Sequence, residues 1–276
     1  MTLTLTFTPM QPQHLPGAMR MSTDIGWPFR IEDWAFVLEI SKGFVALDDD
    51  RVVAAALATP FGSVAMANLI IVDASMRGHG LGRKIIEQAM ATIDSATWQL
   101  VATQDGLALY EKLGFRTIGE ISQHQGLVSD IDPIGDAVWG TCDDLPAIKA
   151  LDSAALNMDR KNLYDALSKR ARFAVLRNPT GITGFAIIRE FGRGRVIGPV
   201  IARSADEAKS LTSLIMSEHT GQFLRVDTDT HKGLGPWLAQ YGLPKTGSGL
   251  TMQKGEPVSP QTAPQKIFAL ASQALG

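Results

Sequence analysis

The spacing of apolar positions divides this chain into short alternating or fully apolar runs and a few stretches of helical period. Residues 2–7 alternate polar and apolar side chains and predict a first strand. A helix is expected to open near Pro16, and a second runs over residues 32–40. Residues 43–47, 52–59 and 64–72 then read as three strands, with Asp48, Asp49 and Asp50 as the hairpin turn between the first two. Leu69, Ile70, Ile71 and Val72 have the apolar, β-branched character of a buried strand. Helical spacing returns at Ile85, Ile86, Ala89 and Met90. Residues 100–103 predict another strand and residues 107–113 another helix, with Gly114 as its left-handed cap and Phe115 opening the next strand.

Between the strand ending at Val72 and the helix that follows lie Gly78, Gly80 and Gly82. Strand, glycine loop and helix in that order aim the loop's N–H groups and the helix N-terminus at one spot. That end of a helix carries roughly half a positive charge, and glycine lets the backbone approach a ligand closely. The product is a cradle for phosphate. Arg77 in front and Arg83 and Lys84 behind add positive charge. Neither GxxxxGK[ST] nor GxGxxG is met.

The stretch Arg77-Gly78-His79-Gly80-Leu81-Gly82 resembles the acetyl-coenzyme A loop of the Gcn5-related N-acetyltransferases (GNAT). The stretch Leu109-Tyr110-Glu-Lys-Leu-Gly-Phe115 resembles the second signature of that family, and the likeness spans residues of about 40 to 120. It implies an α/β (α+β) fold with a mixed, mostly antiparallel sheet flanked by helices. It also implies acetyl-coenzyme A as co-substrate and an amine as acceptor. No metal-ligand spacing of His, Cys and Asp appears in the sequence, so no metal is expected. Carried onto this sequence, the cofactor-binding positions are Ile70, Ile71, Val72, Arg77, Gly78, His79, Gly80, Leu81 and Gly82, with strand backbone at residues 70–72 bonding the cofactor's amide-rich arm. Tyr110 stands where the family's thiolate-protonating tyrosine lies. The chain departs from the family at Gln104, Asp105 and Gly106, where an asparagine is usual. Gly26-Trp27 and Asp33-Trp34 resemble pairs found beside the acceptor site of a larger two-domain subfamily. Trp27 is therefore expected at the acceptor, while Trp27 and Trp34 also read as core residues. Asp24 and Asp33 are expected there as carboxylates able to bind a cationic amine or relay its proton, and His124 because it follows the last strand of the first domain and could reach the cleft.

Residues 131–137 shift to Asp, Pro and Gly and mark a boundary. Beyond it the pattern recurs: helices over 144–150 and 162–168, strands over 173–177, 182–189, 195–201 and 223–228, and a helix-glycine ending at Gly242. The expected organisation is a catalytic domain over residues 1–130, a degenerate copy over 135–254, then a linker and a short C-terminal helix over 255–276. Where the first copy has its glycine loop, the second has Arg203-Ser-Ala-Asp206-Glu207-Ala, whose carboxylates repel phosphate.

Composition narrows the function further. Net charge is −2 with no long basic run, which leaves no footprint for nucleic-acid binding. Cys142 is the only cysteine, so no intrachain disulfide forms and a reducing cytoplasm is expected. No charged, apolar leader opens the sequence, and no apolar run approaches the roughly 18 residues of a membrane span. The acceptor is expected to be a small-molecule amine. The competing expectation is a non-catalytic acyl-coenzyme A-binding or sensing module whose second domain holds a partner.

Overall fold

The computed structural model describes residues 5–258 and 262–276. Its first half runs β1 (Thr6–Pro9), α1 (Leu15–Asp24), α2 (Ile31–Glu39), β2 (Lys42–Asp48), β3 (Arg51–Phe61), β4 (Val64–Val72), α3 (Leu81–Met90), β5 (Thr97–Ala102), α4 (Leu107–Lys112) and β6 (Arg116–Leu127). The second half repeats that order as β7 (Val138–Trp139), α5 (Leu145–Leu156), α6 (Lys161–Leu167), β8 (Ala171–Asn178), β9 (Gly181–Phe191), β10 (Gly194–Ala202), α7 (Ala205–Ser217), β11 (Phe223–Asp229), α8 (Leu234–Gln240) and β12 (Lys245–Gly255). A last strand, β13 (Lys266–Ala269), follows. Of the first strand expected over 2–7, residues 2–4 lie outside the described residues.

The two faces of β3 show how alternation builds the layers. Ala54, Ala56 and Ala58 point to the side where Ile85 and Ile86 of α3 pack. Ala55 and Leu57 point to the other, against Met21 of α1 and Trp34 of α2. Small side chains let helices approach both faces closely. The cluster holding Trp34 and Leu57 continues through Ile148, Tyr164 and Phe185, so one core runs across both halves.

Among the described residues, 13 strands form one sheet, ordered β1-β2-β3-β4-β5-β12-β6-β11-β13-β10-β9-β8-β7, and of these only β4–β5 and β10–β11 pair in parallel. The mixed, mostly antiparallel sheet flanked by helices is the one expected, but it is not divided into two. β12 from the second half is inserted between β5 and β6 of the first, and β6 in turn pairs with β11. Each half's sheet is thus completed by a strand of the other. The residue pattern announces strands and not their partners, so the exchange is invisible in it.

The C-terminal helix expected within 255–276 is absent as well. Residues 266–269 are strand β13, which pairs antiparallel with Val200, Ile201 and Ala202 of β10 and touches Thr228 of β11. Apolar residues at helical spacing are overridden here by backbone pairing with a waiting edge. Of the linker expected over 255–264, residues 259–261 lie outside the described residues. Among the described residues no helix is long and apolar enough to cross a membrane.

Candidate active site

β4 and β5 pair only over Val64↔Thr97, Ala65↔Trp98 and Met66↔Gln99. Beyond that point β5 keeps its partner β12 while β4 turns away, leaving one edge of residues 67–72 unpaired. A β-bulge produces the turn. Between Leu57↔Asn68 and Ala55↔Ile71, β3 advances two residues and β4 three, and Leu69 takes φ +46°.

The glycine loop closes one end of this opening. Gly78 and Gly80 sit at φ +82° and +74°, and Gly80 is the N-cap of α3. A Cβ built on either would meet nothing within 4 Å, so the space over the loop is open. Among the described residues, the backbone N–H groups from Gly78 to Arg83 have no acceptor, as a helix N-terminus requires of a ligand site. Arg77 has no ion-pair partner there either, whereas Arg83 pairs with Glu87 at 2.8 Å and Lys84 lies 4.1 Å over the Phe7 ring. The loop is anchored by Asp73, which accepts from Ser75 Oγ at 2.7 Å, Arg51 at 2.5 Å and Arg20 at 3.1 Å. Burial alone would raise the Asp73 carboxyl. The bonds from Ser75, Arg51 and Arg20 outweigh it and hold the group well below the usual carboxylate range.

Two cavities meet at the parted strands. A groove of about 690 Å³ runs over the loop and is lined by Ile70, Ile71, Val72, Arg77, Gly78, Gly80, Leu81 and Gly82. Of the expected cofactor positions only His79 is not on its wall; it is exposed. A second cavity of about 280 Å³ lies between the halves. Trp27, Ile70, Thr103 and Tyr110 line both and form the junction.

Tyr110 is 7% exposed, its ring set edge-on to Phe115. Its hydroxyl has no hydrogen-bond partner among the described residues, and burial pushes its pKa up to about 12. Gly106, at the N-cap of α4, makes room for the ring: a Cβ there would stand 2.7 Å from Tyr110 Cε2. Within the stretch that departs from the family, Gly106 is thus the residue whose lack of a side chain seats the tyrosine.

Three expected acceptor residues do not reach the cavity. Asp24 is exposed and paired with Arg20 at 3.1 Å. Asp33 is buried and fully engaged: Arg30 donates to it through Nε and Nη2 at 3.1 and 3.0 Å, as do the N–H groups of Arg30 and Gly192 at 2.9 Å. It clasps the β9–β10 turn to α2 instead of meeting a substrate. His124 fails by strand parity: Gln123 and Gln125 face the cavity, so His124 points through the other face, where Nδ1 meets Leu243 O at 3.0 Å. Burial lowers its pKa. Trp27 alone of the four lies on the cavity wall, while Trp34 is core, its Nε1 donating to Ser22 at 2.9 Å. The residues not foreseen are Asn68, Gln123, Gln125, Arg193, Arg225 and Gln273. Alternation around His124 carried the signal for the two glutamines of β6; nothing local marks Arg193.

The corresponding loop of the second half is built differently. Its loop residue Ser204 caps α7 by accepting from the N–H of Glu207 at 3.2 Å, and Glu207 accepts from the N–H of Arg203 at 2.8 Å. The opening between β10 and β11, which part after Ile197↔Val226, is filled by β13. No group of three or more His, Cys, Asp or Glu able to hold a metal occurs among the described residues.

Acetyltransferase (GNAT) domain families match this chain twice, over residues 39–117 and 148–269. The uncharacterised N-acetyltransferase YitH of Bacillus subtilis (strain 168) is 27% identical over 97% of both chains. A crystal structure from Pyrococcus horikoshii superposes with a TM-score of 0.81 at 18% identity, covering 99% of this chain and 96% of that one. A tandem GNAT protein from the clavulanic acid biosynthesis pathway gives a TM-score of 0.64 at 14% identity, covering 93% and 100%. The chain belongs to the GNAT acetyltransferases and carries two GNAT domains in tandem.

Proposed function

We propose that the first domain binds acetyl-coenzyme A and transfers its acetyl group to the amine of a small molecule held in the cavity between the halves. The observation that carries this reading is the junction: phosphate loop and small cavity open on the same four residues, with an unpartnered tyrosine hydroxyl between them. The name of the Bacillus subtilis relative supports an amine as acceptor.

The bound thioester supplies an activated acyl carbon and a thiolate leaving group. The chain's own residues supply position and a proton. N–H groups from Gly78 to Gly82 and Arg77 hold the pyrophosphate, and the free edge of residues 70–72 takes the amide-rich arm as an added strand. Tyr110 stays a neutral phenol at working pH and donates to the sulfur as charge develops there. No carboxylate or imidazole lines the small cavity, so the amine reaches the site neutral or gives its proton to water. Asp105, on the groove wall, is the nearest carboxylate of the route.

On this reading the second domain binds no cofactor, because Ser204 and Glu207 occupy its helix start and β13 fills its opening. Its work is to wall the acceptor cavity, in a reducing cytoplasm as the single Cys142 fits. Calorimetry with acetyl-coenzyme A should give one site per chain, and thiol release should follow addition of the right amine. Two sites per chain refute the assignment to the first domain. Tight binding with no thiol release across a broad amine panel favours the sensing module instead.

A further inference from the structure

The charged side chains on the wall of the 280 Å³ cavity are Arg193 and Arg225; no Asp, Glu, Lys or His lines it. Arg193 stands in the β9–β10 turn, exposed, with neither an ion pair nor a hydrogen bond among the described residues. Arg225 is 7% exposed and stacked at 5.4 Å on the Phe191 ring. Its Nε and Nη2 donate to Asp227 at 3.0 to 3.1 Å, which leaves Nη1 without a protein acceptor among the described residues. Asp227 compensates Arg225, and Arg193 has no ion-pair partner among the described residues. The carboxamides of Gln123, Gln125 and Gln273 line the same wall.

The β4 wall has the opposite polarity. Asn68 is 5% exposed and donates through Nδ2 to Thr59 Oγ1 at 2.8 Å, while its Oδ1 is buried without a partner. A buried acceptor left unpaired costs about 1–3 kcal/mol, which a donor brought to this oxygen from the cavity that Asn68 lines would recover. Asn68 is two residues from Ile70, at the junction with the cofactor groove.

We infer that the acceptor is an amine that also carries an oxyanion, a carboxylate or a phosphate, with the amine at Asn68 and the oxyanion on Arg193 and Arg225. The inference rests on the acetyltransferase reading for the identity of the amine end. Guanidinium groups present forked donors that match oxyanions, and a cavity of about this volume, at the low end of the roughly 300–1,000 Å³ usual for ligand pockets, admits a compact molecule. The same two cations disfavour an ammonium ion, which lowers the pKa of the bound amine and favours the neutral nucleophile that the reaction needs. A plain alkylamine or polyamine finds neither an acidic partner nor relief from that field.

The test uses the full chain, titrated calorimetrically with butylamine, 4-aminobutyrate and O-phosphoethanolamine, alone and with coenzyme A bound. The expected result is that one of the anionic amines binds about tenfold to a hundredfold more tightly than butylamine, the range of one charge-assisted contact. The better of the two separates carboxylate from phosphate. Arg193→Gln, on an exposed turn, should erase most of that preference; Arg225→Gln should do the same but risks the fold by stranding Asp227. Butylamine binding as tightly as the anionic probes, an unchanged preference in Arg193→Gln, or no binding of any probe to a chain that binds coenzyme A would each overturn the inference. Failure to bind coenzyme A with the anion preference intact would instead sink the acetyltransferase reading.

Discussion

Replacing Gly106 by alanine tests whether the position of the Tyr110 hydroxyl, and not merely its presence, matters to turnover. The backbone at Gly106 has φ −85° and ψ −18°, so alanine is conformationally allowed and gains about 0.4–1 kcal/mol through the unfolded state. The new methyl, however, would sit 2.7 Å from Tyr110 Cε2 and 3.2 Å from Cζ and the hydroxyl oxygen. Ordinary contact begins near 3.4 Å, so the ring must retreat by 0.7 Å or more. Overpacking of this kind typically costs about 1–3 kcal/mol, which leaves a net destabilisation of about 0–2.5 kcal/mol after the alanine gain. The hydroxyl lies at the end of the displaced ring. Misplacement of a reacting group by about 1 Å can cost roughly a hundredfold in rate, so kcat should fall about tenfold to a hundredfold. The cofactor Kd should stay within about threefold, because no loop N–H moves and two-thirds of a kcal/mol is that factor. Thiol release with the cognate amine and calorimetry with acetyl-coenzyme A read the two quantities. Because both changes act through one hydroxyl, Gly106→Ala combined with Tyr110→Phe should be no slower than Tyr110→Phe alone. If Gly106→Ala turns over like the parent while Tyr110→Phe does not, the seat of the ring is not what sets the rate. If the two losses multiply, Gly106 acts through something other than Tyr110.

Tyr110→Phe itself should lower kcat at least about tenfold, the low side of general-acid contributions, with little change in cofactor Kd; equal turnover makes Tyr110 a packing residue. Its pKa of about 12 keeps the phenol protonated, so kcat should show no alkaline fall below pH 10, and a fall there assigns the acid elsewhere. Gly80→Val forces a β-branched residue to φ +74°, at a cost of about 1–3 kcal/mol of backbone strain, so acetyl-coenzyme A should bind at least about tenfold more weakly by calorimetry. Since a Cβ there touches no protein atom, unchanged binding would place the phosphate away from this loop. The folded-state pKa of His124 lies below its unfolded value of about 6.5, so the unfolded chain takes up the proton first. That contribution to stability is full above pH 6.5 and lost as pH falls toward the folded pKa, with the half-buried His14, whose pKa burial also lowers, acting in the same sense. Denaturant midpoints should therefore drop from pH 7 to pH 5, and a flat profile removes the buried-neutral reading.

The parts of the site that sequence displayed are those whose chemistry is local. A strand, three glycines and a helix start shape an open loop through residues that lie next to one another in sequence, and Gly78, Gly80 and Arg77 line the groove over that loop. Tyr110 and Gly114 were legible because one short helix carries both; Gly114 has φ +88°. The acceptor side is different in kind. Its walls come from β4, β5, β6, β9, β11, β12 and the segment after β13, which meet only through strand exchange. Carboxylates picked for their chemistry, Asp24 and Asp33, turned out to be committed to arginines, because an acidic residue near a domain contact is most easily satisfied there. An imidazole marks His124 as a candidate, but its place within β6 turns it to the face opposite Gln123 and Gln125, and alternation alone does not say which face meets the cavity.

On the proposed reading, the exchange of β6 and β12 gives the second domain a part in the first domain's acceptor site although it binds no cofactor itself. Gln123 and Gln125 project from β6, Gly247 and Ser248 lie on its neighbour β12, and Arg225 projects from β11 on its other side. These three adjacent strands belong to alternating halves of the chain, yet together they form a continuous wall of the acceptor cavity. A single GNAT copy ending at β6 would leave the β5 edge bare and that wall without β11. The second copy also contributes Phe191 and Arg193 from its β9–β10 turn, held to the first by the Gly192 N–H bond to Asp33. Its own opening is meanwhile spanned by β13, and the chain beyond that strand brings Ser272, Gln273 and Ala274 to the same cavity. On that same reading, the strand that fills the second opening also leads residues to the first domain's acceptor cavity, so the closed opening and the completed wall both follow from where a single segment pairs.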